Sequence, residues 1–105
     1  MKRLSKSFKK NGIDYELIKR NEIIAFFALS IDDTLVGYEV ARIYQNAERV
    51  IAGKLIYATE GISGNEQFGY DGSRAFFPSD KKRAKEYFTT LDKELKVREA
   101  EKAEI

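Results

Sequence analysis

Residues 13–44 alternate between polar and apolar side chains in three consecutive blocks, and this pattern restricts the fold more than any other feature of the chain. In IDYELIKR (13–20), Ile13, Tyr15 and Leu17 fall on one face, with Asp14, Glu16 and Arg20 on the other. A repeat of two is the signature of a half-buried strand. Asn21-Glu22 supplies a turn. IIAFFALSI (23–31) is apolar on both faces, as expected of a central strand covered on both sides. Asp32-Asp33-Thr34 is turn chemistry, because short polar side chains bond back to the backbone. LVGYEVARIY (35–44) alternates again, setting Val36, Tyr38, Val40 and Tyr44 against Glu39 and the small Gly37 and Ala41. Three sequential strands with short turns predict an antiparallel meander.

Residues 46–60 read two ways. Asn46 could cap a helix with the stripe Ala47, Ile51, Leu55 and Ala58. Val50, Ile51, Ile56, Tyr57 and Thr59 favour strand, and Gly53 costs a helix interior about 1 kcal/mol relative to Ala, so extended structure is preferred. Residues 61–73 contain four of the chain's seven glycines and read as loop, followed by a short strand in SRAFF (73–77). Pro78 and Ser79 mark a helix start, with Ser79 as the cap and Asp80 in the first turn. The following helix carries the apolar stripe Ala84, Phe88, Leu91 and Leu95, flanked by Tyr87. Beyond Leu95 the stripe gives way to charge. The expected fold is therefore α+β: a three- to five-stranded antiparallel meander packed by one long C-terminal helix from about Ser79 to Lys96. A flexible basic N-terminal arm (1–12) precedes the single domain (13–96), and a charged, frayed helix end (97–105) follows it. A chain of 105 residues has room for one domain.

Composition removes many functions. With no Cys and no His, disulfides, thiolate sites, cysteine nucleophiles, His-containing triads and the commonest zinc ligand are all excluded. Carboxylate pairs, a Ser–Lys pair or a lysine of depressed pKa would have to do any catalysis. The strand-borne acids Asp14, Glu16 and Glu39 fall on the solvent side of the alternation. Gly64 and Gly69 have the spacing of a phosphate loop, but Tyr70-Asp71 stands where its Lys and Ser or Thr belong. Glu60, Glu66 and Asp71 lack calcium-loop spacing, and Asp32-Asp33 reads as a turn. The chain is thus expected to be no enzyme and to carry no cofactor and no metal.

Nineteen basic residues stand against seventeen acidic ones, for a net charge of +2, too mild to imply nucleic acid by itself. The distribution is uneven. Lys2, Arg3, Lys6, Lys9 and Lys10 crowd the first twelve residues without an acid, and Leu4 and Phe8 are spaced for a short amphipathic turn. A second basic cluster, Lys81, Lys82, Arg83 and Lys85, opens the helix, where cations oppose the helix dipole. Together these residues are the candidate nucleic-acid contacts, and such binding would weaken steeply with salt. No apolar stretch follows the basic terminus to make a secretory signal, and no run reaches membrane-spanning length, so a cytoplasmic setting without membrane contact is expected. Phe26, Phe27, Tyr38, Phe76, Phe77 and Phe88 are expected in the core. Phe68 and Tyr70 lie instead in the glycine-rich loop and, with Arg74, form the candidate protein interface, since aromatic and Arg side chains are the usual interface anchors.

Gly37-Tyr38-Glu39-Val40 after a hairpin, Asn65-Glu66-Gln67-Phe68-Gly69, and Ala75-Phe76 ahead of the helix AKEYFTTL together resemble a loose group of small uncharacterised phage and mobile-element proteins built as a β-meander followed by a helix. The resemblance spans roughly 13–92. It departs from the group at Ser63-Gly64, where Pro-Ser is expected before the Asn-Glu pair. It implies a bacterial or phage-infected cytoplasm and transfers no functional residue. The leading functional expectation is a non-enzymatic binding module, a phage or mobile-element accessory protein docking onto a host or phage protein. The alternatives are a nucleic-acid-binding protein using the two basic clusters, and a small structural subunit of an oligomer or virion.

Overall fold

A computed structural model of the chain describes residues 3–62 and 72–103. Strands β1 (Ser7–Lys10), β2 (Ile13–Arg20), β3 (Ile24–Ile31) and β4 (Thr34–Asn46) form an antiparallel meander. Beyond it come β5 (Arg49–Ile51), β6 (Lys54–Ile56), β7 (Thr59–Ile62), β8 (Arg74–Phe76), a 3-10 turn (Pro78–Asp80) and the helix α1 (Lys81–Ala103). The main sheet has the order β1-β2-β3-β4-β7, and β8 pairs with the first half of β4 while β7 pairs with its second half. β5 and β6 form a separate two-stranded sheet. The expected α+β class holds, with the helix packed on the sheet.

Three hairpins close through two-residue turns in which both residues have positive φ: Asn11-Gly12, Asp32-Asp33 and Ala52-Gly53. This left-handed turn geometry matches the twist of the flanking strands. The fourth reversal is built by Asn21. Its side-chain oxygen accepts from the N–H groups of Ile23 and Ile24 at 2.7 and 2.8 Å, and its own N–H donates to the Ile24 carbonyl.

The sheet has a core on each face. On one, Ile24, Phe26, Tyr38 and Val40 meet the predicted helix stripe of Ala84, Phe88, Leu91 and Leu95, every member of which is buried. On the other, Tyr15, Ala25, Phe27, Leu29, Ala41 and Ile43 are covered by Leu4, Phe8, Leu17 and Ile62. The sheet curls over this second core, so that β2 and β7 touch through Arg20 and Glu60 although β3 and β4 lie between them in the strand order. The doubly apolar β3 is thereby explained: both of its faces are interior.

Several expectations are corrected. The N-terminal segment is not a flexible arm over its whole length. Ser7–Lys10 is an edge strand paired with β2, and the Phe8 ring stacks on Tyr15 at 5.0 Å and meets Phe27 edge-on at 5.5 Å. Asn11-Gly12 folds the segment back, and alternation turns Lys9 outward while Phe8 points into the core. Residues 46–60 are extended, as preferred, with a hairpin at their centre. Ser79 does not cap the helix. It lies inside the 3-10 turn that Pro78 opens, preceded by an extended Phe77, with no side-chain capping bond. Phe77, expected in the core, is 76% exposed. Past Leu95, the helix runs on to Ala103 with Val97 in solvent.

Candidate functional site

The structure disperses the residues singled out from the sequence. Phe68, Tyr70 and Lys2 lie outside the described residues. Arg74 is exposed on β8, but its guanidinium lies 5.2 Å from the Phe76 ring and 5.5 Å from the Tyr87 ring, so it braces β8 against the helix. Arg3 pairs with Glu22 at 2.9 Å, and Lys9 faces Asp14 at 3.7 Å. The Lys6 carbonyl accepts from the Leu17 N–H, tying the segment before β1 to β2. Lys10 is half-buried. In the second cluster, Arg83 reaches Asp80 at 3.9 Å, Lys81 sits 5.9 Å from the Tyr38 ring, and Lys82 is exposed. Arg3, Lys9 and Lys10 line a cleft between the two outer strands β1 and β7, whereas Lys85 lines a groove beneath the helix. The two clusters therefore do not merge into one basic surface.

A β-bulge organises the interior. The pairing of β2 with β3 shifts between Leu17 and Lys19, leaving Ile18 as the extra residue. Such an insertion exchanges the faces of everything that follows it. Arg20, assigned to the solvent side from its position in the alternation, consequently turns inward. It donates twice to Glu60, at 2.8 and 3.0 Å. The Glu60 side chain is 1% exposed and also accepts from the Leu4 N–H at 2.9 Å. The Arg20 hydrogen bonds, above all, hold the Glu60 carboxyl down at about 2, with the Leu4 N–H and the Arg20 and Arg3 charges assisting against its burial. The same hydrogen bonds raise the Arg20 pKa. Glu60 was visible in the sequence only as a loop acid, and its role here is to fasten the N-terminal segment and β2 to β7.

Glu39 is a second correction. Only 8% exposed, it receives a hydrogen bond from the Tyr15 hydroxyl at 3.3 Å on the curled side of the sheet. Burial, reinforced by the Glu39 charge and hydrogen bond, pushes Tyr15 up to about 12. These contacts are structural, and among the described residues no three acidic side chains gather where a metal ion could be held.

The extended structure preferred for residues 46–60 is present as the β5–β6 hairpin, and its exposed apolar surface is what the sequence did not indicate. Val50 and Leu55 stand opposite each other on one of its faces, while Arg49, Ile51, Lys54 and Ile56 share the other. All are exposed, Val50 at 68%, as is the adjoining Tyr57 at 70%. Apolar side chains at this density in solvent are the most conspicuous surface feature of the described chain. No helix among the described residues is long and apolar enough to cross a membrane. No family model, curated protein or solved structure matches this chain.

Proposed function

We propose that the chain is a small non-enzymatic binding module that docks onto another protein through the β5–β6 hairpin. The observation that carries this reading is the exposure of Val50, Ile51, Leu55, Ile56 and Tyr57 on a hairpin that contributes nothing to either core. An isolated two-stranded hairpin is marginal in water, and clustered exposed apolar side chains mark interaction surfaces. Ile51 and Ile56 beside Arg49 and Lys54 suit an apolar groove with an acidic margin on the partner. The interface is thereby moved from Phe68, Tyr70 and Arg74 to the hairpin.

A photo-crosslinking residue at Val50, introduced in the native host, identifies the partner, which is then purified and titrated. Ile51→Asp with Ile56→Asp should weaken binding by about thirty-fold or more, the scale of a lost interface anchor, and leave the melting temperature unchanged. Unaltered affinity in that variant would defeat the proposal. Two other results would also replace it. Salt-dependent oligonucleotide binding that survives the hairpin change but not Lys81→Gln with Lys82→Gln would favour the nucleic-acid alternative. A concentration-dependent rise in particle mass, abolished by the same hairpin change, would favour the structural subunit.

A further inference from the structure

We propose that the groove between the β2 bulge and the helix is a binding site for a small organic anion: a phosphate or carboxylate carried on an apolar body. The groove is lined by Ile18, Lys19, Phe26, Lys85, Phe88 and Thr89 and encloses about 410 Å³, within the range of small-molecule sites. Its floor is apolar, made by the buried Phe26 and Phe88, with the more exposed Ile18 at the lip. Two lysines, Lys19 and Lys85, line it and no carboxylate does.

Arg3, Lys9, Arg20, Arg83 and Lys96 each have an acid within reach. Among the described residues Lys19 and Lys85 form no such pair. Other exposed cations, Arg49, Lys54 and Lys82 among them, also stand without an acid partner. What distinguishes Lys19 and Lys85 is that both line one apolar groove that has no carboxylate in its lining. Asp92, one turn along the helix from Thr89, is already engaged by Asn21 and, at 3.1 Å, by Lys96. Two positive charges therefore border an apolar recess without internal compensation.

The bulge is what builds this arrangement. Were β2 regular, Ile18 would oppose Phe26 and close the recess, and Lys19 would point into the curled core. The extra residue moves Ile18 to the lip and brings Lys19 opposite Phe26, with its ammonium 5.3 Å from the Phe88 ring. Bulges are used to re-aim a side chain beside functional sites. An ammonium held over a ring face keeps donors free for an anion on its outer side. The apolar floor requires a ligand with more than a charge, which sets an organic anion apart from an inorganic one. This inference is independent of the hairpin.

The test is an NMR titration of the whole chain with phenyl phosphate and with phenylacetate, using inorganic phosphate and phenol as controls. Phenyl phosphate or phenylacetate should shift the resonances of Ile18, Lys19, Lys85 and Thr89, and the tighter of the two names the headgroup. Lys19→Gln with Lys85→Gln should weaken that binding by about tenfold or more at an unchanged melting temperature. Ile18→Ser should weaken the aromatic ligands and leave inorganic phosphate as it was. The proposal is overturned if the double lysine variant binds as the wild type does, if inorganic phosphate binds as tightly as phenyl phosphate, or if the shifts map to residues 49–57.

Discussion

Arg20 and Glu60 are brought together by one additional residue in β2, and the pair fastens the curl of the sheet. Removing one partner of a buried ion pair strands the other, which typically costs about 3–5 kcal/mol. Glu60→Gln should fall near the lower end, since Arg20 retains some contact with solvent. The pH dependence has a definite sign. Glu60 titrates near 2 when folded, below its ordinary 4.5, so its stabilisation is complete above about pH 5 and is lost as the pH falls towards 2. Urea denaturation across that range should show an acid-side decline that is shallower in Glu60→Gln. Gly37 gives a second prediction at this scale. A Cβ there would lie 2.5 Å from the Phe76 carbonyl oxygen, so Gly37→Ala must push β8 away from β4. A loss of about 1–3 kcal/mol, typical of overpacking, should appear in denaturant melts.

At the scale of elements, β1 is a structural strand, and removing residues 1–10 should lower the melting temperature markedly. Phe8→Ala should cost about 2–3 kcal/mol, less than the roughly 3–5 kcal/mol for the more deeply buried Phe88→Ala, and the two are compared by equilibrium denaturation. β2, β3, β4 and the α1 stripe were legible in the sequence because periods of two and of three to four need only local information. β1 was obscured by its lysines, although Asn11-Gly12 is the strongest two-residue hairpin signal in the chain. Arg20 and Glu39 were assigned to the wrong surroundings for related reasons. A bulge leaves no mark in a hydrophobic pattern, and alternation does not distinguish a solvent face from a second interior one. The helix start was displaced because Pro78 opens a 3-10 turn ahead of the helix. As for the candidate sites, the surface of the hairpin was illegible because β-branched residues signal a strand whether or not anything covers it. The groove arises from tertiary contact and had no local signature.

For the molecule as a whole, a radius of gyration of 15.2 Å exceeds the roughly 13 Å expected of a spherical domain of this length. Because Asn46 and Thr59 are directly paired, residues 47–58 should be replaceable by an Asn-Gly turn. Thermal melting should move by only a few degrees, since a change within about 1 kcal/mol has that effect at this size. The interior has the opposite character. β3 supplies Ile24 and Phe26 to one core, and Ala25, Phe27 and Leu29 to the other, so neither core can dissolve while the other keeps its central strand intact. The two clusters should accordingly melt as one cooperative unit, with equal calorimetric and van't Hoff enthalpies. Native-state hydrogen exchange should then give Phe26 and Phe27 the same protection free energy, that of global unfolding: two cores, one transition.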